Sequence, residues 1–356
     1  MKLKTCLSLC LFMASSSALA LPNWASGYFN DNNATWNSAS GTLTVKNNVN
    51  WTNKGKEGFY FPVPNEVKTI HIAKGKKVTG GFRVYNHPNA LTISGGKEGE
   101  QSWHRSATIF GTSQQSWSVN NNIPDNSKWK YGAIAVQNSG VVTIRNLKFV
   151  NARSYHITSF NTKIDAKWIN IIDNRGGSHN NSDGFGGAAG STIQSSYIDT
   201  LDDAVKLYFN NSSVKYTTIK HRRNGAPIQL GWWAESATTG LLAQNVTVKG
   251  ADAGGYNLGA VSWSNHNTTK TKNLKLNNFS IVADSGKKKP HFIQYGVNFG
   301  TNWNGTLSLT GNSVPSCSYT NFVAKNNSSY YDDSIVGSKS LKKNSSGNLK
   351  TVISGC

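Results

Sequence analysis

The chain has 356 residues, and its 37 lysines and arginines against 17 aspartates and glutamates give a net charge of +20. Such a surplus attracts polyanions: nucleic acid, anionic cell surfaces or acidic polysaccharides. With 34 glycines and no long stretch of 3.6-residue apolar periodicity, a helical protein is excluded. The basic residues are scattered, apart from Arg222-Arg223 and Lys287-Lys288-Lys289. No zinc-finger, RRM or helix-turn-helix signature accompanies them, so dedicated nucleic-acid recognition is not expected.

In chain order, residues 1–20 predict a signal peptide. Lys2 and Lys4 form its basic start, Cys6 to Met13 its apolar stretch, and Ala18-Leu19-Ala20 an A-x-A cleavage site. The apolar run is too short to span a bilayer, and residues 21–356 contain no transmembrane candidate. A secreted protein, extracellular or periplasmic, of charge +18 and monomeric, is expected. Its remaining cysteines, Cys317 and Cys356, predict one disulfide in an oxidising compartment. Two cysteines without nearby histidines cannot supply four ligands, so no metal site is expected there.

Residues 21–65, rich in Trp, Asn and Gly, predict an N-terminal cap with irregular strands. "EVKTIHIAKGKKVTGGFRVYNHPNALTISG" (66–95) opens a series of strand-like segments, "ATIFGT" (107–112) continues it, and 113–130 reads as a polar loop. From there a repeat emerges: "VVTIRNLKFV" (141–150), "DAKWINIID" (165–173), "STIQSSYID" (191–199), "VKYTTIKH" (214–221), "LLAQNVTV" (241–248) and "NLKLNNFSIV" (273–282). A period of twenty-odd residues, with two or three short β-branched strands and no helix in each, predicts a solenoid. No coil buries its apolar face alone, so each stacks on the next. A right-handed parallel β-helix fits best, as a single domain with coils over 66–315 and a C-terminal cap over 316–356. A propeller would need a four-strand period of forty or more residues, and one sandwich would be too small.

In this acid-poor chain, three carboxylates stand in "SDGFGGAAGSTIQSSYIDTLDDAVKLY" (182–208), at Asp183, Asp202 and Asp203. The 19- and 20-residue separations are nearly one coil, and neighbouring coils stack about 4.8 Å apart. All three can then converge on one face. Clustered carboxylates repel, so one holds its proton while the others ionise. That division suits glycosidic hydrolysis, in which an acid protonates the leaving oxygen and a carboxylate activates water. A separation of about 6.5–9.5 Å between the two leaves room for the water and predicts inversion. Two other readings stand beside this one: an Asx turn at Asp183-Gly184 with a polar turn at Asp202-Asp203, and a calcium site completed by Asp199.

"NNSDGF" followed by "DTLDDAVKLY" resembles the pattern of β-helical polysaccharide hydrolases, shared by polygalacturonases and glycoside hydrolase family 49. The continuation "DDAVKLYFNNSSVKYTTIKHRRNGAPIQLGWW" (202–233) is similar to family 49, the dextranase and isopullulanase family, where the Asp pair leads to Lys-x-Tyr and then an apolar-Gln-apolar-Gly-Trp coil. The Gly-His-Gly and Arg-x-Lys of polygalacturonases are absent. The resemblance spans residues 66–265 and is strongest over 180–233. It implies a right-handed β-helix, inverting hydrolysis of an α-glucan, no cofactor, Asp202 as general acid, and Asp183 and Asp203 positioning or activating water. Two features depart from the family: no room for a large N-terminal β-sandwich, and "FGGAAG" after the Asp-Gly in place of an acidic or polar group.

Candidate substrate-binding residues are Lys206 and Tyr208 along the cleft, His221 and Arg222 as contacts for an anionic group, Gln229, and Trp232 as a stacking face. Trp263 and His266 are candidates for a further subsite. The partner expected is a polysaccharide, neutral or anionic. A calcium-dependent lyase and a non-enzymatic β-helical adhesin are the rival functions.

Overall fold

Successive turns of the chain lay their strands beside one another, and a computed structural model shows them in three parallel ladders. The structure describes residues 20–96, 107–114, 125–175, 181–222, 224–231, 237–250, 259–263 and 272–286, together with the strand backbones at 291–296, 307–310, 320–326 and 329–335. Among these residues the α-helix content is one turn, Gly55–Gly58.

The first ladder runs through Thr42–Val45, Thr69–Ile72, Leu91–Gly95, the leading half of Val142–Val150, the leading half of Ile164–Ile172, Thr192–Gln194 and Ser213–Lys215. The second takes Lys77–Thr79, Ala107–Phe110, the trailing halves of the two long strands, Tyr197–Asp199 and Thr218–His221. The third holds Gly81–Tyr85, Ile134–Gln137, Ile157–Phe160, Phe185–Gly186, Val205–Lys206, Ile228–Gln229 and Gly259–Trp263. Thr238–Gly250 spans the first two ladders, as Ile164–Ile172 does. Four shorter strands lie between them, so six strands close a hydrogen-bonded ring. Among the described strands, antiparallel pairing occurs at the two ends, Ala34–Asn37 on Thr42–Val45 and Thr320–Asn326 on Ser329–Ile335.

Alternation dictates the core. Each ladder contributes an aligned column of inward side chains, for example Ile144, Ala166, Ile193, Val214 and Ala243 in the first. Ile171, Ile198, Ile219 and Val248 line the second, and Ile157, Phe185, Val205 and Ile228 the third. All are buried, at roughly 1.5–3 kcal/mol for each large apolar side chain. A cluster of edge-to-face aromatics, Trp24, Trp36, Phe29, Trp51 and Phe61, closes the N-terminal end.

Parallel pairing already begins at Thr42–Val45, inside the segment that its Trp- and Asn-rich composition marks as a cap. The strands expected over 141–282 all form. Residues 1–19, Cys317 and Cys356 lie outside the described residues, as does most of the loop expected at 113–130.

Candidate active site

The three aspartates meet where the second ladder turns into the third. Phe185 and Val205 are register partners, which places Asp183 and Asp203, each two residues earlier, on adjacent rungs. Backbone bonds fix that stacking: Gly184 N–H donates to Asp203 O at 2.9 Å, and Phe185 N–H to Ala204 O at 2.9 Å. Asp202 sits at the bend, where its Oδ1 accepts from its neighbour's N–H at 2.9 Å. One oxygen from each carboxylate lies within 4.8 Å of the others.

Two glycines make this approach possible. A Cβ on Gly184 would lie 2.4 Å from Ala204 O, and one on Gly225 would lie 1.8 Å from the carbonyl carbon of Asp202. The Asp-Gly step is therefore a close contact between rungs and not a loose surface turn.

Lys206, on the strand that Asp203 leads into, extends its Nζ to 2.5 Å from Asp183 Oδ2. The ammonium also lies 4.3 Å from the ring centroid of Tyr155 and 5.7 Å from that of Tyr208. Asp203 is buried, and its Oδ1 accepts the N–H of Ala226 from the next rung at 3.0 Å. Asp183 is almost as buried, whereas Asp202 is half-buried and the most accessible of the three.

This arrangement separates the protonation states. Burial pushes the Asp183 carboxyl up to about 6; the charge of Asp203 adds to the rise, and Lys206 opposes it. Asp202 is held well above the usual carboxylate range by burial, then by the charges of Asp183 and Asp203. Burial alone would lower the Lys206 ammonium, but the neighbouring carboxylates outweigh it, led by Asp183, and raise it well above its ordinary value. The cluster thus sets an ammonium against Asp183 and makes Asp202 hold its proton to higher pH than an ordinary carboxylate.

Three contributors escape sequence reasoning. Tyr155 hydrogen-bonds Asp183 from the preceding rung. His156 lies beneath it, with Nδ1 donating to the carbonyls of Ser182 at 3.2 Å and Asp183 at 3.1 Å, while its Nε2 accepts from Ala152 N–H at 3.4 Å. Burial lowers His156 to about 4, so it is a neutral clamp on the Asp183 backbone. Gly225 is the third.

The expected substrate contacts divide. Lys206 stands at the carboxylates, and the Tyr208 ring lies 5.7 Å from its ammonium. His221 is fully buried, on the inward parity of Thr218–His221 with Ile219, and is thereby out of a glycan's reach. Arg222 makes a bidentate pair with Asp199 at 2.6 and 2.8 Å, so its charge is already matched by a carboxylate of this chain. The same pair removes Asp199 as a ready fourth ligand for calcium. Gln229 pairs in register with Lys206 but is fully buried, its Oε1 accepting from Leu230 and Gly231 N–H. Trp263 is buried, too. Trp232 and His266 lie outside the described residues.

The carboxylate oxygens lie within 4.8 Å of one another, below the roughly 6.5–9.5 Å anticipated between an acid and a base acting through water and nearer the roughly 5–5.5 Å of a retaining pair. Lys206 holds Asp183 in place through one carboxylate oxygen, and the Ala226 N–H holds Asp203 in the same way. Both remain able to hold a water beside Asp202.

No protein-family model matches the chain, and no curated protein matches it. Among solved structures it is similar to Dex49A from Penicillium minioluteum, at 13% identity and a TM-score of 0.51, over 70% of this chain and 49% of that one. A mutant tailspike protein of E. coli bacteriophage HK620, in complex with a pentasaccharide, matches at 10% identity and a TM-score of 0.35, over 89% of this chain and 59% of that one. The likeness to Dex49A is one of fold, and the chain spans about half of that protein's length.

Proposed function

We propose that the protein is a secreted glycoside hydrolase that cleaves a polysaccharide internally, with inversion, on a right-handed β-helix. The observation that carries this reading is the cluster of three carboxylates within 4.8 Å of one another and a single ammonium on Asp183. Asp202 protonates the glycosidic oxygen, and Asp183 and Asp203 orient and deprotonate a water on the opposite side of the sugar. Lys206 keeps Asp183 ionised and positions it. The fold shared with Dex49A supports the family 49 resemblance, and with it a dextran-like α-glucan as substrate; the net charge supports anionic substituents on that glucan.

Residues 21–356 act as one domain after removal of 1–20, closed by a disulfide between Cys317 and Cys356, and the mature protein works as a monomer without a cofactor. The calcium-lyase alternative is disfavoured because Lys206 already supplies the positive charge at Asp183, and Asp199 is engaged by Arg222. Proton NMR of the first products distinguishes the outcomes. Inversion gives the anomer opposite to the substrate linkage as the first reducing end. Retention would transfer the nucleophile role to one of the aspartates, and an unsaturated uronic product would replace hydrolysis by elimination.

A further inference from the structure

At the corner between the first and second ladders, one residue in each of six turns adopts a φ near +50°. Asn146, Asn245 and Asn278 fill three of these corners and Ser195 a fourth, but the others carry Trp168 (φ 57°) and Tyr216 (φ 50°). Asparagine enters the left-handed region readily because its short side chain bonds locally, whereas a bulky aromatic there is an outlier. Such residues concentrate where a strained backbone presents a side chain to a ligand. Neither ring is spent on the core: Tyr216 is 56% exposed and Trp168 is half-buried.

The register places the two rings on one line. Lys167, Gln194 and Lys215 are successive partners, so Trp168, Ser195 and Tyr216, each one residue later, occupy three consecutive rungs. The aromatics stand two rungs apart, about 10 Å, with a small serine between them. Beside them Arg145, Lys167 and Lys215 form a row of cations interrupted by Gln194. The Lys167 ammonium lies 4.1 Å from the Trp168 ring centroid, so it covers one face of that ring and sets a cation directly beside it. This row, with Asp165 and Thr192, lines a surface depression of about 250 Å³. Lys163 pairs with Asp165 at 3.2 Å, which leaves the depression positive.

We infer that this corner is a second glycan site, which binds a polysaccharide carrying carboxylate or sulfate groups. The rings stack on sugar faces, the cations pair with the anionic substituents, and Gln194 and Thr192 offer hydrogen bonds to hydroxyls. A single-stranded nucleic acid fits less well, because successive bases stack at about 3.4 Å and the two rings are too far apart to serve neighbours. The site is separate from the carboxylates, since the strand Tyr197–Asp199 lies between Ser195 and Asp202. It stands whether or not the catalytic reading does.

The test is affinity electrophoresis of the full chain, in an Asp202→Asn background that leaves the gel intact. The gels contain dextran sulfate, polygalacturonate, neutral dextran or poly(dT). Asparagine is the residue other turns carry at this corner, so Trp168→Asn with Tyr216→Asn is expected to melt at or above the parent temperature. It is also expected to bind the acidic glycans about tenfold more weakly at about 0.15 M salt. Lys167→Gln with Lys215→Gln is expected to weaken binding and flatten its salt dependence. The inference is overturned by any of three results: unchanged retention of the aromatic variant, a fall in its melting temperature, or tighter binding of poly(dT) than of either acidic glycan.

Discussion

Asp202→Asn is expected to lose hydrolysis by about 10²–10⁴-fold and yet to melt higher than the wild type near neutral pH. The asparagine oxygen can still accept the N–H of Asp203, so the bend is preserved. What disappears is the proton donor, together with a carboxyl group that the fold disfavours in its charged form. Burial and the charges of Asp183 and Asp203 raise this carboxyl well above its ordinary value. An acid raised in the folded state binds its proton more tightly there than in the unfolded chain, so it lowers stability as pH rises through and beyond the unfolded value of about 3.9. The variant escapes that loss. Its advantage is expected to be about 2–4 °C, the shift for about 1 kcal/mol, at pH 7–8 and to vanish below about pH 4. Calorimetry across that range, beside an activity assay, checks both halves.

Lys206→Met is expected to act in the opposite direction on stability. It leaves the buried Asp183 without its ammonium, at a cost of about 3–5 kcal/mol for breaking a buried pair. The Lys206 ammonium is raised above its ordinary value, so its stabilisation is complete throughout the neutral range and is lost only in strong alkali. Without it, Asp183 titrates above its present value of about 6. The deficit of the variant is therefore expected to be largest at pH 8 and to shrink as acid protonates Asp183. Activity should fall by about 10²–10³-fold, with the acidic limb of the pH–rate profile displaced upward as the water-activating carboxylate becomes harder to ionise. Equal stability losses at pH 5 and pH 8 would mean that Lys206 contributes packing and not charge.

Much of this was legible in the sequence, because the stacking of parallel rungs turns a repeat length into a spatial contact. The aliphatic columns followed from alternation in segments such as 141–150 and 191–199, and the 20-residue interval between Asp183 and Asp203 is the interval between register partners Phe185 and Val205. Tyr155 was hidden because the preceding turn is longer: Ile157 and Phe185, partners in the same ladder, are 28 residues apart. Gly225 was hidden because its role is an absence of side chain, visible only against the Asp202 carbonyl of the adjacent rung. His221 and Gln229 are candidate substrate contacts in the sequence by their place after the Asp pair. Local parity instead points His221 inward with Ile219, and both residues of Ile228–Gln229 are buried.

The central claim is that the cluster at Asp183, Asp202 and Asp203 hydrolyses a glycan. It is tested most directly by measuring new reducing ends released from a panel of neutral and acidic polysaccharides, with wild type and Asp202→Asn compared on equal footing for turnover and binding. The expected result is release from an α-glucan or an anionic derivative by the wild type alone, with binding retained by both proteins. Release from no member of the panel, or equal release by the variant, would contradict the claim; binding without turnover in both would point to an adhesin.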